Sequence, residues 1–342
     1  MPIEIAGSPR AMHATRKFLS FVLAFLCLGP LLATASMGQA EAAMIFVTNE
    51  KDDTVSVVDS QSLKLVNTIQ VGHRPRGIII TPDKKDIIVC LGDDAQLAVI
   101  DAQSMKVKRL LDSGPDPELL NISPDGKTLY IANEDDSLVT VMDYKTGQVT
   151  QEIPIGVEPE GMGVSPDGSI VVATSESTSM AHFIDTKTYK VIANILVDSR
   201  PRYADFTHDG AYVWVTSEVG GTVSVIDAKT HKIVKVIDFE IPGVRPELIG
   251  PVGINFTTDG KRAFICLGKA NRLAVVDTST YKVIDYVLVG QRPWHAALSP
   301  DGTKLYSANG LTNDITVVDV ASLRAEKSVP VGRLPWGLVV RP

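Results

Sequence analysis

Charged and aromatic residues gather around a set of prolines that recur along the chain. Arg74 and Arg76 flank Pro75, Asp116 and Glu118 flank Pro117, and Glu158 and Glu160 flank Pro159. Arg200 and Arg202 flank Pro201, with Tyr203 next. Arg292 precedes Pro293, and Trp294 and His295 follow it; Trp336 follows Pro335, with Arg333 just before. Around Pro251 the neighbours are neutral, Gly250 and Val252, although Arg245 and Glu247 stand close by in sequence. A guanidinium is planar, always charged and shaped to pair with a carboxylate. An indole offers a flat face for stacking. Paired carboxylates such as Glu158 and Glu160 can act as general acid and base, or can meet a basic partner.

Most other chemistry is excluded by what the chain lacks. No CxxCH occurs, so no covalently bound haem is expected. GxSxG, HExxH and the phosphate-binding P-loop pattern are absent. His182, His208 and His231 fall in strand or turn sequence and read as structural residues. His73 and His295 are too far apart in the expected ring to share a metal, so no metal site is expected.

The elements that position these residues come from a repeat. The Asp that ends each VxVxD-like strand stands at 59, 101, 143, 185, 227, 277 and 319, at intervals of 42, 42, 42, 42, 50 and 42. The Asp of the SPDG-type turn follows the same rule at 83, 125, 167, 209, 259 and 301. A period near 40 with short, alternating apolar runs indicates a β-propeller. The long interval is an eight-residue insertion within 239–253. Each copy holds four strands, as in GMGVS, IVVATS, MAHFID and KVIANILV. Asp recurring in equivalent turns bonds its own backbone, so these aspartates read as structural.

The expected fold is therefore all-β, a seven-bladed propeller of four-stranded antiparallel blades over residues 44–342. The copies start and stop out of phase, from IFVTN at 45–49 to WGLVVRP at 336–342. Three N-terminal strands and one C-terminal strand should complete a shared blade, which hides both sheet edges. Numbering blades from Pro75, the proline loops then rim the central channel. Blades 2 and 3 present Asp116, Glu118, Glu158 and Glu160. Blades 6, 7 and 1 present Arg292, Trp294, His295, Arg333, Trp336, His73, Arg74 and Arg76. Either the opposite charges neutralise one another across the mouth while the indoles fill space, or the aromatic-basic sector is a pocket for an aromatic polycarboxylate. The acidic sector, reinforced by Asp52, Asp53, Asp93, Asp94, Asp135 and Asp136 in nearby loops, could dock a basic partner.

The first 40 residues read separately. Arg10, His13, Arg16 and Lys17 precede the apolar run 18–33, and small residues follow. That order is a secretory signal peptide, cleaved after Ala35 or Ala40, and export to the periplasm is expected. The apolar run is interrupted by Gly29-Pro30 and is short for a span, so no membrane association is expected after its removal. Residues 41–342 carry 30 basic and 39 acidic side chains. That balance argues against nucleic acid as a partner. Cys90 and Cys266 occupy equivalent strands of blades 1 and 6. Two blades would separate them by roughly 20 Å, too far for a disulfide, so two buried thiols are expected.

The pattern VxVxDxxTxKVxxxIxVGxxPxGxxxSPDGxxLYxAN resembles the YVTN-type β-propeller repeat. Length, leader and GxxP loops are most similar to the β-propeller proteins associated with PQQ-dependent catabolism. That resemblance implies a monomeric periplasmic propeller accompanying quinoprotein alcohol oxidation. PQQ is then a candidate ligand, and a quinoprotein dehydrogenase or c-type cytochrome a candidate partner. The principal expectation is a non-catalytic binding protein. The alternatives are a pure protein–protein scaffold, or a lyase or lactonase-like hydrolase using rim carboxylates and His295.

Overall fold

Each copy of the repeat folds into one antiparallel sheet, and the copies close into a ring. In this computed structural model, which describes residues 43–342, there are 28 strands in seven four-stranded sheets. Blade 1 runs outward from Pro75–Ile80 through Asp86–Leu91 and Gln96–Asp101 to Lys106–Asp112. Blades 2 to 6 repeat that order from innermost strands Pro117–Ile122, Pro159–Val164, Pro201–Phe206, Pro251–Phe256 and Pro293–Leu298. The leader read from 1–40 lies outside the described residues, and among the described residues no helix is long and apolar enough to cross a membrane.

Blade 7 closes the ring as the out-of-phase ends require. Its innermost strand is the C-terminal Pro335–Arg341, which pairs antiparallel with Met44–Asn49 in the register Met44↔Arg341, Ile45↔Val340, Phe46↔Val339 and Val47↔Leu338. The next strands, Thr54–Asp59 and Lys64–Gln70, complete it.

The repeated aspartates do the work that their turns need. Asp227 Oδ1 accepts the Lys229 and Thr230 backbone N–H groups, at 3.1 and 2.7 Å. Asp125 Oδ1 accepts the Ser123 hydroxyl and the Lys127 N–H, with Gly126 left-handed at φ 73°. These donors hold the Asp125 carboxyl down at about 2, the Ser123 hydroxyl first among them.

Alternating apolar residues fill the spaces between blades. Phe46, Val57, Ile87, Val89 and Ile100 form one such layer, and Phe183, Val213, Val215 and Ile226 another, all fully buried. The insertion after blade 4 is pinned rather than loose, with Phe239, Ile241 and Ile249 packed into the layer that contains Trp214 and Phe256. Cys90 and Cys266 are buried free thiols, as their spacing requires.

Two features of the innermost strands aim residues at the channel mouth. First, in six of the seven blades the residue before the strand-opening proline is left-handed: Arg74, Asp116, Glu158, Arg200, Arg292 and Leu334 have φ between 46 and 60°, Gly250 of blade 5 being the exception. Left-handed residues also occur in the other turns, at Ala95, Ser137 and Tyr189 among others. The conformation therefore belongs to the fold and marks no chemistry by itself. The N–H groups of Arg74, Arg292 and Leu334 are met by Asp53, Asn271 and Asn313 of the preceding blade. Second, the register slips just after the proline, for example between Pro75 and Ile78 and between Pro117 and Leu120. Such bulges re-aim side chains. They place Arg76, Glu118, Glu160, Arg202, Val252, Trp294 and Trp336, equivalent in the repeat, in one ring.

Candidate functional site

The ring at the channel mouth is an interlocked set of ion pairs and indoles. Arg76 Nη1 donates to both Glu118 oxygens at 2.8 Å, and Arg76 Nε reaches Glu50 Oε2 at 3.2 Å. Arg74 adds Nη1 to Glu118 Oε1 at 3.1 Å, approaches Asp93 at 2.9 Å and pairs with Asp116. On the opposite side Arg202 is enclosed by Glu176, Glu160 and Glu218. Arg200 meets Glu176 at 2.8 Å. Arg292 donates to Glu218 at 2.7 Å while lying 3.9 Å over the Trp294 ring. Trp294 stacks on Trp336 with centroids 6.1 Å apart, and His295 tilts against Trp336 at 4.3 Å.

Burial sets the electrostatics. Glu118 is fully buried, and burial alone would push its carboxyl up; Arg76 and then Arg74 reverse this and hold it below its ordinary value. For Glu160 burial wins over Arg202 and the carboxyl is driven well upward, with Glu118 and Glu176 adding repulsion. Glu176 is raised by burial against the pull of Arg202. Glu134 is pushed up to about 7 by burial and then by Glu118, which shares a hydrogen bond with it. His295 goes the other way, down to about 3, through burial and the positive charge of Arg202, so its imidazole is neutral.

The structure thus brings together Arg74, Arg76, Asp116 and Glu118, and separately Glu160, Arg202, Arg292, Trp294, His295 and Trp336. It does not bring Arg333 to them. Arg333 is exposed and pairs with Asp52 and the Lys51 carbonyl at 2.9 Å. Glu158 stays at the surface, bonded to Ser177, and His73 is paired with Asp94 at 2.7 Å. The division into a basic sector on blades 6, 7 and 1 and an acidic one on blades 2 and 3 does not survive in the contacts. Long guanidinium side chains span neighbouring blades, so Arg74 and Arg76 of blade 1 sit on Glu118 of blade 2, and Arg292 of blade 6 reaches Glu218 of blade 4.

Four ring members escape a reading centred on prolines: Glu50, Glu134, Glu176 and Glu218. The signal for them is in the sequence, because the residue after each second strand recurs at 50, 92, 134, 176, 218, 268 and 310 as Glu, Gly, Glu, Glu, Glu, Gly, Gly. The glycines make room where a ring side chain lies across the position. A Cβ on Gly268 would sit 2.8 Å from Arg292 Nη1.

Three other groupings carry less. Donor atoms of Asp116, Glu118 and Glu134 lie within 4.8 Å of one another, but the Arg74 and Arg76 guanidiniums already supply the cations there. Ser175 Oγ is 2.9 Å from His182 Nε2, whose Nδ1 is 2.6 Å from Asn194 Oδ1, which has the outline of a nucleophile and its base. Ser175 is fully buried, and the Gly156 N–H also points at Nε2. The equivalent pair in blade 7, Asn49 to Ser56 at 2.9 Å, is a strand-to-strand tie, and so is this one. His208 likewise bonds the Thr257 carbonyl and His231 packs on Phe183. A groove of about 600 Å³ lined by Lys235, Asp238, Tyr281 and Tyr286 lies between the outer strands of blades 4 and 5, away from the channel.

A planar tricarboxylate such as PQQ would need free guanidiniums and an open indole face. Arg74, Arg76 and Arg292 are already paired, Arg292 covers Trp294, and Trp336 is 1% exposed. In this arrangement the residues present do not fit that group.

Fold and mouth together define a seven-bladed β-propeller whose channel entrance is closed by buried ion pairs. A family model described as a choice-of-anchor I domain matches residues 135–329, more than half of the chain, and the chain belongs to that family. A model described as a YNCE-like β-propeller matches residues 10–136. No curated protein matches the chain. Among solved structures it is similar to hydrazine synthase of Kuenenia stuttgartiensis, at TM-score 0.73 and 24% identity, covering 81% of this chain and 92% of that one. It is also similar to a functionally unknown protein of Desulfotomaculum acetoxidans, at TM-score 0.74 and 16% identity over 87% and 98% of the two chains. A proposed 6-phosphogluconolactonase of Bacteroides fragilis gives TM-score 0.74 and 19% identity over 89% and 99%. At these identities the likeness is one of fold.

Proposed function

We propose that the protein is a non-catalytic binding propeller that docks a basic protein partner on its channel-mouth face. The observation that carries this is the charge balance of the mouth. The guanidiniums of Arg74, Arg76, Arg200, Arg202 and Arg292 are all paired with mouth carboxylates and do not make the face basic, while burial leaves Glu134 and Glu160 with reduced charge of their own. The surrounding loops add the exposed Asp93, Asp135 and Asp136. Such a face attracts a cationic surface and speeds its encounter. The resemblance to propellers of PQQ-dependent catabolism suggests the setting, an exported protein working beside a quinoprotein dehydrogenase or its c-type cytochrome. A catalytic reading finds less support, because the mouth carboxylates are largely tied to arginine and His295 is neutral and buried.

The test is titration of the protein with a basic c-type cytochrome by calorimetry at low and at physiological salt. Binding should weaken as salt shortens the screening length from about 30 Å at 0.01 M to about 8 Å at 0.15 M. The paired change Asp135→Asn and Asp136→Asn should weaken it further without altering the melting temperature. Absence of binding at low salt, or binding indifferent to both salt and these aspartates, would sink the proposal. A parallel titration with PQQ should give no heat.

A further inference from the structure

Below the ion-pair layer the channel is not simply filled. At the third position of the innermost strands glycine alternates with a large residue around the ring. Gly77, Gly161 and Gly253 are each followed, one blade on, by Leu119, Tyr203 and His295. The glycines are needed for that approach, since a Cβ on Gly253 would lie 2.8 Å from His295 Nδ1 and one on Gly161 2.8 Å from Tyr203 Cα. The large residues leave a cavity of about 70 Å³, with Trp336, His295, Tyr203, Asn121, Met162 and Leu119 in its lining.

Two of those residues have polar atoms with no partner. Trp336 is 1% exposed and His295 7%, yet Trp336 Nε1 and His295 Nε2 are buried without a hydrogen bond. Buried polar groups are normally satisfied, and the cavity is the space these two side chains border. An indole N–H can only donate, while a neutral imidazole donates at one nitrogen and accepts at the other. The missing partner must therefore carry an acceptor oxygen, and a hydroxyl would serve both. It must also be uncharged: His295 supplies no charge to pair with, the arginines above are committed to glutamates, and no other residue lining the cavity is charged. An apolar cavity of about 150 Å³ accommodates benzene, with its six heavy atoms. About half that space suits roughly two to four.

We propose that the propeller channel binds a small uncharged oxygen compound, a short alcohol or ketone, beneath the mouth ion pairs, in the cavity that Leu119, Tyr203 and His295 border. The ligand oxygen accepts from Trp336 Nε1 and meets His295, while its carbon skeleton rests on Met162 and Leu119. This site is separate from the docking face proposed above and stands or falls independently of it.

The test reads the indole N–H signals of the three tryptophans by nitrogen-15 NMR on the full chain, with Trp336→Phe to assign Trp336. Ethanol, 2-propanol and acetone are titrated, with acetate as the charged comparison and phenol as the oversized one. The expected result is a saturable shift of the Trp336 signal with the first three compounds and none with the last two, Trp214 staying still as internal reference. Ala296→Val narrows the cavity and should weaken the response at least tenfold while the melting temperature holds. A linear drift of all three indoles alike, or a Trp336 signal that exchanges with water and answers no compound, would overturn the proposal in favour of a cavity holding water only. An undiminished response in Ala296→Val would overturn the placement of the ligand in this cavity.

Discussion

Arg292 and Glu218, two blades apart in the ring, meet at 2.7 Å above the neutral blade 5. Blade 5 contributes only Val252 and the glycines at 250 and 268 at the corresponding positions. The guanidinium crosses because Gly268 leaves space for it and because Trp294 beneath supplies a π-face at 3.9 Å. The insertion that lengthens the repeat at this point thus coincides with the one stretch of rim where charge must be bridged across a blade.

Removing that bridge should cost stability. Glu218 is 4% exposed and is held below its usual carboxylate range: burial raises it, and Arg202 and Arg292 overcome burial. Arg292→Ala leaves a buried carboxylate with less compensation, an effect of at most about 3–5 kcal/mol, the range for a fully buried pair. Glu218→Gln in the same background should recover part of the loss. Urea unfolding of the two single variants and the double variant measures it, and strict additivity would show that the pair is not coupled.

Glu134 supplies a pH dependence with a definite sign. Its carboxyl is pushed up to about 7 by burial and Glu118, from an ordinary value near 4.5. The folded state therefore holds the proton more tightly than the unfolded state. The stability this contributes is full below about pH 4.5 and is lost as pH rises through about 7. Glu134→Gln mimics the protonated form. It should match the parent near pH 4.5 and become the more stable of the two above pH 7, by on the order of 1 kcal/mol after solvent screening. Thermal melts from pH 4.5 to 8.5 check this, and parallel curves for the two proteins would contradict it.

The ring closure was legible in the sequence because it is a counting problem. Aspartates at a fixed period give blade number, and out-of-phase ends give the shared blade. The identities of Arg74, Arg76, Glu118, Trp294 and Trp336 as channel residues were legible for the same reason. Their partners were not, because pairing depends on how far a side chain reaches between blades. Arg333 illustrates the limit: it stands three residues before Trp336, yet it bonds Asp52 in a surface loop. Glu176 and Glu218 illustrate the opposite case. They follow second strands, far in sequence from the prolines, and the antiparallel turn returns them to the same rim as Arg202.

The thiols offer a check on the blade register. Cys90 and Cys266 are fully buried, and burial pushes both thiols upward, so little thiolate is present at neutral pH. Both should resist a thiol reagent in the native protein and react together on global unfolding. Rapid labelling of either under native conditions, or a bridge between them under oxidation, would mean that the blades are not stacked in this order.

The closing strand gives the strongest prediction for the fold. Among the described residues Pro335–Arg341 is the only innermost strand supplied by the opposite end of the chain, and it carries Trp336 and Leu338 into the core. Without it Met44–Asn49 becomes an open edge facing the channel, with unpaired backbone groups at Met44 and Phe46. Thr48 would also lose its hydroxyl contacts to the Gly337 backbone, accepting its N–H at 2.9 Å and donating to its carbonyl at 3.2 Å. Deleting 335–342 should therefore abolish cooperative unfolding or drive aggregation. Asn49→Ala, which removes only the ties to Thr54 and Ser56 within the same blade, should lower the melting temperature yet leave a single transition. Calorimetric scans of both variants separate loss of closure from local weakening. A truncated protein with one sharp transition at the parent's temperature would show that the ring does not depend on this strand.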